Sequence, residues 1–280
     1  MERKNGRKHG EVFTQLNVVK YILDEVKYVS SNNLKKVTIL EPASGQGAFA
    51  VEIIKRLYQS SKNYNFDFIK AINENVRFVE LDRLSFENLK NNILETIENL
   101  GFKPHKITKS VFSNANFLLK NFDCKFDCIV GNPPYIRHEI IDSKLKKEYK
   151  EIFSTFKYRA DLYVLFYEKS LKLLSEEAFL SFICSNRWLF NQYGKPLRKL
   201  IAEKYHISKI INIENANVFD EEVIAYPCIT TIRNTKGNFT EYYESQEKEI
   251  HIHNLSFELV SSPKDESWQN LFLDYNINHS

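Results

Sequence analysis

Four consecutive residues carry distinctive chemistry: Asn132-Pro133-Pro134-Tyr135, directly after the apolar run Phe126-Asp127-Cys128-Ile129-Val130 and Gly131. An amino group conjugated to an aromatic ring, such as that of adenine, is a poor nucleophile because its lone pair is delocalised into the ring. If the Asn132 side-chain oxygen and the Pro133 carbonyl accept its two hydrogens, the nitrogen shifts towards tetrahedral geometry and its lone pair turns to a sulfonium methyl. No strong general base is required. Two successive prolines stiffen the loop and fix the Pro133 carbonyl, while Tyr135 offers a ring on which an extruded base can stack. The plain alternative is an ordinary Pro-Pro loop.

A second group lies upstream. Glu41-Pro42-Ala43-Ser44-Gly45-Gln46-Gly47 follows the short apolar run Val37-Thr38-Ile39-Leu40, and Phe49, Ile53, Ile54 and Leu57 then recur at helical spacing. This reads as strand, Gly-rich turn, helix. The turn lacks the third glycine of the dinucleotide fingerprint. Glu80 ends the next strand, where a carboxylate can accept from both ribose hydroxyls of a nucleoside, so an adenosine-containing cofactor is indicated. Alone, Glu80 reads equally well as a carboxylate favouring the dipole of the following helix.

The elements that must position these residues follow a βαβα rhythm. Thr14 can cap a helix carrying Leu16, Val19, Leu23 and Val26 on one face, with Ser30 to Asn33 ending it. The region from Phe66 to Asn75 gives no clear element. Arg77 to Leu81 reads as a strand, and Leu84, Leu89, Ile93, Ile97 and Leu100 as a helix closed by Gly101 and Pro104. Strands are expected near Lys106 to Lys109, at Phe126 to Val130 and at Ala178 to Cys184, with helices from Asp161 to Leu174 and from Gln192 to Lys204. Alternation at these spacings means a parallel, doubly wound sheet, whose strand carboxyl ends form the ligand crevice. Ile207 to Ile213 and Ala225 to Arg233 lie too close together for a helical crossover and should form an antiparallel hairpin at the sheet edge. Beyond Asn234, Gly237 and Asn238 mark a boundary, and Glu249 to His253 alternates like an exposed strand.

Bulk properties limit the alternatives. The chain has 280 residues, 43% of them hydrophobic, enough for one large α/β domain with a small annex. No apolar run is long enough to cross a membrane, and Met1 to Arg7 lacks a secretory signal, so a cytoplasmic location and no membrane partner are expected. Four cysteines, Cys124, Cys128, Cys184 and Cys228, fit core filling better than disulfides or zinc. No metal site is expected, since His251 and His253 have no further ligand at a suitable spacing. A net charge of +3 makes any nucleic-acid footprint local. The stretch with Arg137, Lys144, Lys146, Lys147, Lys150, Lys157 and Arg159 also holds Glu139, Asp142, Glu148 and Glu151, so a phosphate track and a solvated helix face remain equal readings.

On these residues the chain resembles the adenine-N6 DNA methyltransferases, in the branch whose cofactor segment precedes the glycine motif. The likeness is greatest to the methyltransferase part of fused, type IIG restriction-modification enzymes, and runs from about Gly10 to Arg233. Gly10-Glu11-Val12-Phe13-Thr14 resembles the family's opening segment, which implies a contact from Thr14 to the methionine end of S-adenosylmethionine. Glu41 to Gly47 is similar to the first methyltransferase motif and Phe78-Val79-Glu80-Leu81-Asp82 to the second. This implies cofactor contacts from Glu41, Pro42, Ala43, Ser44, Gly45, Gly47, Glu80 and Leu81. Asn132-Pro133-Pro134-Tyr135 resembles the catalytic motif. Asn217-Val218-Phe219 is similar to the segment whose aromatic residue closes the other face of the flipped base, which implies that role for Phe219. Arg159-Ala160-Asp161-Leu162-Tyr163, Ser185-Asn186-Arg187 and Tyr226-Pro227-Cys228 resemble stretches that recur in type IIG members. Gln15 stands where the family commonly has proline. Asn116-Phe117-Leu118 stands where it usually has Asp-Phe-Leu, so Asn116 would accept from the cofactor's adenine amine more weakly than an aspartate, with Phe117 beside it; a mere turn role for Asn116 stays open.

The resemblance implies an α/β, doubly wound, mostly parallel seven-stranded sheet of the Rossmann-like class I methyltransferase type with an antiparallel edge hairpin. It implies a catalytic domain over residues 1–234 and a short β-rich extension over 235–280 that could begin a DNA-recognition region. Double-stranded DNA is the implied partner, with a separate recognition or nuclease chain as a further one. Enzymes that methylate protein glutamine or RNA share the Asn-Pro-Pro-Tyr chemistry, and a non-catalytic DNA-binding subunit is a third reading. About 47 residues follow Arg233, too few for a second base-reading core. The chain is therefore expected to bind S-adenosylmethionine but to bind DNA weakly, with strong salt dependence and little sequence preference. DNA affinity for random and genomic sequences across salt concentrations checks this; tight, sequence-specific binding would contradict it.

Overall fold

The computed structural model describes residues 14–214, 216, 218, 219 and 226–268. In chain order the helices are α1 (Leu16–Glu25), α2 (Ala48–Tyr64), α3 (Phe68–Asn75), α4 (Arg83–Asn99), α5 (Ser143–Ile152), α6 (Leu162–Lys172), α7 (Arg187–Phe190) and α8 (Lys195–Lys204). The strands are β1 (Ile39–Glu41), β2 (Val76–Glu80), β3 (Phe112–Asn114), β4 (Phe126–Gly131), β5 (Leu174–Ser185), β6 (His206–Asn212), β7 (Pro227–Arg233), β8 (Phe239–Glu244) and β9 (Glu258–Ser261). They form one sheet in the order β3-β2-β1-β4-β5-β7-β6-β8-β9. From β3 to β5 every pairing is parallel; β7 runs antiparallel to both β5 and β6, β8 pairs parallel with β6, and β9 closes the edge antiparallel to β8.

The sheet is covered on both faces, which is why its central strands are apolar throughout. Ile39, Phe78 and Val130 point to the layer of α1 to α4, against Ile22, Phe49, Ile53 and Ile93. Their neighbours Leu40, Val79 and Ile129 point to the opposite layer, against Tyr149, Tyr163, Phe166 and Leu197. The alternation is that of a pleated strand buried on both sides. Helix starts are set by aspartates: Asp67 accepts from the Lys70 N–H, Asp82 from those of Leu84 and Ser85, and Asp142 from those of Lys144 and Leu145.

The doubly wound architecture and the antiparallel pairing of β6 with β7 agree with the sequence reading; several local expectations do not. The sheet has nine strands rather than seven, because the segment after Gly237 adds β8 and β9 beyond β6. α1 starts after Gln15, with no side-chain cap from Thr14. It stops at Glu25 rather than at Ser30 to Asn33: Lys27 turns left-handed (φ 60°), and the Lys27 and Tyr28 N–H groups close back onto the Asp24 and Leu23 carbonyls. Gly101 (φ 87°) ends α4 by the same device, as expected. Phe66 to Asn75, which gave no element, holds α3. The expected strand near Lys106 to Lys109 is two single 3-10 turns started by Pro104, and pairing begins only at Phe112. Glu249 to His253 is not a strand; it ends in a 3-10 turn that buries Ile252 alone. Among the described residues no helix is long and apolar enough to cross a membrane.

The connection between α5 and α6 is built on one carboxylate. Glu168, fully buried on α6, accepts from the Ser154 N–H (3.1 Å), the Ser154 hydroxyl (3.0 Å), the Thr155 N–H (2.8 Å) and Lys172 (2.6 Å). Burial would raise its carboxyl, but the Lys172 and Thr155 contacts outweigh burial and hold it below the usual range. With the folded value depressed, the stability it contributes is complete above the unfolded carboxylate value of about 4.3 and is lost as pH falls through the folded value. Glu168→Ala should lower urea stability at neutral pH by about 3 kcal/mol. It should also flatten the acid side of the stability profile; an unchanged profile would show that Glu168 holds nothing.

Candidate functional site

All strands except β7 and β9 run in one direction, so the ends of β1 (Glu41), β2 (Glu80), β3 (Asn114), β4 (Gly131) and β5 (Ser185) share one edge. Between β1 and β4 the winding reverses, since successive strands are added towards β3 on one side and towards β5 on the other. A crevice opens at such a switch point. Here the loops after β1 and β4 touch: a Cβ on Gly131 would lie 3.7 Å from Glu41 Cγ and 3.7 Å from Pro42 Cδ.

The glycine turn is tied to β2. Ser44 N–H donates to the Val79 carbonyl (2.9 Å), and Gly45 N–H donates to Glu80 Oε2 (2.8 Å), while Glu80 Oε1 accepts from Asp82 N–H (2.7 Å). Glu80 thus fixes the turn and the start of the next helix. Gly47 (φ 100°) opens α2 in a conformation that disfavours a side chain, and a Cβ there would meet Leu89 Cδ1 at 3.0 Å. Glu41 is 1% exposed, and among the described residues its Oε2 has no hydrogen-bond partner. Burial pushes its carboxyl well above the ordinary range, helped by nearby Glu80 and opposed by Ser44. Leu81 is two-thirds exposed beside Glu80, and Asn114 donates to both the Glu80 and Leu81 carbonyls.

Asn132 Nδ2 donates to Thr14 Oγ1 at 3.2 Å, which turns the Asn132 amide oxygen away from Thr14. The Pro134 carbonyl accepts from Ile136 N–H (3.0 Å), whereas no described donor reaches the Pro133 carbonyl. Thr14 forms an antiparallel bridge with Phe219, supported by Gln15 N–H to the Val218 carbonyl (3.1 Å) and Gln15 Nε2 to the Phe219 carbonyl (3.4 Å). Tyr135 and Phe219 meet edge to face, centroids 6.3 Å apart and planes at 79°. The Tyr135 hydroxyl is buried with no hydrogen-bond partner among the described residues, and burial drives the phenol well above its usual range.

Thr14, the glycine turn, Glu80, the Asn-Pro-Pro-Tyr loop and Phe219 therefore lie together at the carboxyl edge of the sheet. Two of the candidates sit differently. The Phe117 ring is in the core against Phe166 (5.2 Å), leaving only its backbone near the edge. Asn116 Oδ1 accepts from Leu118 N–H (3.0 Å) and its Nδ2 donates to Tyr149 (2.9 Å), so it closes a turn. Asn217 lies outside the described residues. Beyond β5, Asn186 donates to Asn212 (2.9 Å) and Glu214 (3.1 Å), Asn212 donates to Glu244 (2.8 Å), and Arg187 stacks on Tyr226 (4.6 Å). Sequence reasoning missed that β8 joins this polar group through Glu244, because nothing local marks a contact across 32 residues.

Comparisons with known proteins give the family and the fold. The type II methyltransferase M.PaeR7I of Pseudomonas aeruginosa is 36% identical over 236 residues, 82% of this chain and 41% of that protein. The type II methyltransferase M.BstVI of Geobacillus stearothermophilus is 36% identical over 237 residues, 81% of this chain and 42% of that protein. The chain thus spans about two fifths of the length of the curated relatives it matches. Among solved structures, a nuclease-deletion mutant of the type ISP restriction-modification enzyme LlaGI superposes with a TM-score of 0.74. It is 16% identical, over 93% of this chain and 27% of that one. The fold is the Rossmann-like class I methyltransferase fold. The family model described as Eco57I restriction-modification methylase matches residues 32–219, from the approach to β1 through the glycine turn, Glu80, the Asn-Pro-Pro-Tyr loop and Phe219. The chain belongs to the Eco57I restriction-modification methylase family.

Proposed function

We propose that this chain is the catalytic part of a site-specific DNA methyltransferase that moves a methyl group from S-adenosylmethionine to the N6 amine of a flipped-out adenine in double-stranded DNA. The observation that carries the reading is the Asn132–Thr14 hydrogen bond, which fixes the Asn132 amide next to the Tyr135–Phe219 ring pair. The names of the relatives, type II methyltransferases and the combined restriction enzyme and methyltransferase RM.Eco57I, support DNA as the substrate and a restriction-modification setting. A structure of related fold, DrdV, is a complex with DNA, which supports DNA as a partner, and this chain covers 31% of that one, which leaves room for further parts.

The residues at the crevice fit the cofactor. A buried Glu41 oxygen without a described partner, left-handed glycines at 45 and 47 and the Glu80 carboxylate match a nucleoside with a cationic sulfur and hydroxyls to bind. Thr14, Glu41, Pro42, Ala43, Ser44, Gly45, Gly47, Glu80, Leu81 and Asn116, with the Phe117 backbone, would hold it. When bound, S-adenosylmethionine supplies an electrophilic methyl group. The chain's residues supply orientation: Asn132 and the Pro133 carbonyl accept the two amine hydrogens and localise the lone pair, and Thr14 keeps the Asn132 amide from rotating. A neutral amide is no base, so the surplus proton leaves to solvent. Tyr135 and Phe219 now touch edge to face, whereas a base between two parallel rings needs planes about 7 Å apart. Entry of the base therefore requires one ring to turn.

Asn132→Ala should leave cofactor and DNA binding near normal and lower kcat about 10²-fold or more, measured as radiolabelled methyl transfer to DNA, with RNA and protein as parallel substrates. Normal turnover, or transfer only to RNA or protein, would refute the reading. Tyr135→Ala should lose more transfer than cofactor affinity, by the about 1–3 kcal/mol of one stacked base. Combined with Phe219→Ala, it should depart from additivity by at least about 0.5 kcal/mol, whereas strict additivity would exclude a shared clamp.

A further inference from the structure

Asp161 precedes α6 as the N-cap residue, yet its side chain makes no cap hydrogen bond, unlike Asp67, Asp82 and Asp142 at the starts of α3, α4 and α5. Its carboxylate faces the segment that follows Tyr135. Oδ1 accepts from His138 N–H (3.2 Å) and Oδ2 from the Tyr193 hydroxyl (3.3 Å), while the adjacent Leu162 N–H donates to the Ile136 carbonyl (2.9 Å). Two consecutive residues thus grip residues 136–138. The contacts then return to their origin: Tyr193 shares a 2.7 Å hydrogen bond with Tyr163, and the buried Tyr163 ring lies 6.4 Å from the Tyr135 ring. The chain reaches Asp161 through Tyr158 and Arg159, both left-handed (φ 53° and 62°), and Phe156 packs 5.4 Å from His138. Strain of that kind persists only where surrounding contacts over-determine the backbone.

We infer that Asp161, backed by Tyr193 and Tyr163, is the positioning residue of the Asn-Pro-Pro-Tyr loop, holding residues 136–138 so that the Tyr135 ring and the Pro133 carbonyl keep their places at the crevice. The inference rests on the proposed methyl transfer for its consequence in turnover, but not for the clamp itself. The proposed cofactor contacts lie after β1 and β2 and at Thr14 and Asn116, and the hydrogen bonds of Asp161 among the described residues go to His138 and Tyr193 instead, so loss of the clamp should separate turnover from cofactor affinity.

The experiment compares the full chain with Asp161→Ala, Asp161→Asn and Tyr193→Phe variants by amide hydrogen exchange, calorimetry with S-adenosylmethionine and methyl transfer to DNA. Asp161→Ala should speed exchange of the peptide over residues 136–140 by about tenfold or more, the effect of losing a closing free energy of about 1.4 kcal/mol. Its cofactor Kd should move less than about threefold, while kcat falls about 10- to 100-fold, as for other groups that orient a catalytic one. Asp161→Asn retains an acceptor for His138 and should recover part of both effects. Tyr193→Phe should fall between, and adding it to Asp161→Ala should change little more. Unchanged exchange over 136–140 in Asp161→Ala and Tyr193→Phe overturns the clamp, and so does a parallel fall of cofactor affinity and kcat. If wild type is inert on DNA, the proposed function fails, and the exchange data still decide the clamp. If Asp161→Ala does not fold, the Asn and Phe variants decide it by the same readouts.

Discussion

The pairing of β1 with β4 at the point where the winding reverses is the constraint on which the rest of the crevice depends. Ile39 lies opposite Cys128 and Leu40 opposite Ile129, so the two strands end within three residues of each other. The chain leaves β1 through Glu41 and Pro42 and leaves β4 through Gly131, and the two loops approach so closely that a side chain at 131 would sit in van der Waals contact with Glu41 and Pro42. β2, bound to the other side of β1, brings Glu80 to the same edge one strand away. Three loops from segments nearly a hundred residues apart thereby become neighbours, and a parallel sheet delivers all of them at its carboxyl edge without any loop having to reach far.

Charge at this edge is met by backbone N–H contacts at Glu80 and by burial at Glu41. Glu80 is held by two N–H groups, which satisfy its oxygens and lock the glycine turn. Glu41 has no such support for its second oxygen, and its carboxyl titrates far above the usual range because water is excluded around it. A buried carboxyl of this kind is costly unless something else uses it. Glu168 on the opposite face shows the contrast: with two N–H groups, a hydroxyl and Lys172 gathered around it, the same burial leaves a carboxylate that favours ionisation. The different company of each acid separates a group available for binding from one that builds a loop.

The crevice is closed on its outer side by contacts far apart in sequence. Thr14 meets Asn132 across 118 positions, and Gln15 meets Phe219 across 204. One short segment thus touches both the amide that would accept the amine and the aromatic residue opposite Tyr135. The bridge of Thr14 with Phe219 joins the two groups through one residue.

The sequence by itself determined the strand-turn-helix units, the direction of the sheet and the residues of the two main motifs. Each is a local signal: apolar runs of strand length, glycines where a side chain cannot fit, and prolines that fix a loop. Where the signal was only local periodicity, the reading erred. Residues 249–253 alternate yet form no strand, and α1 stops early because Lys27 turns left-handed to bury Tyr28. Only the tertiary structure decided that β8 and β9 extend the sheet, that Phe117 is a core residue, that Thr14 serves Asn132 rather than capping a helix, and that Asp161 grips the loop after Tyr135. A helix-starting aspartate has the same sequence signature whether its carboxylate turns to its own helix or to a neighbouring loop. The choice belongs to whichever N–H groups the fold brings within about 3 Å.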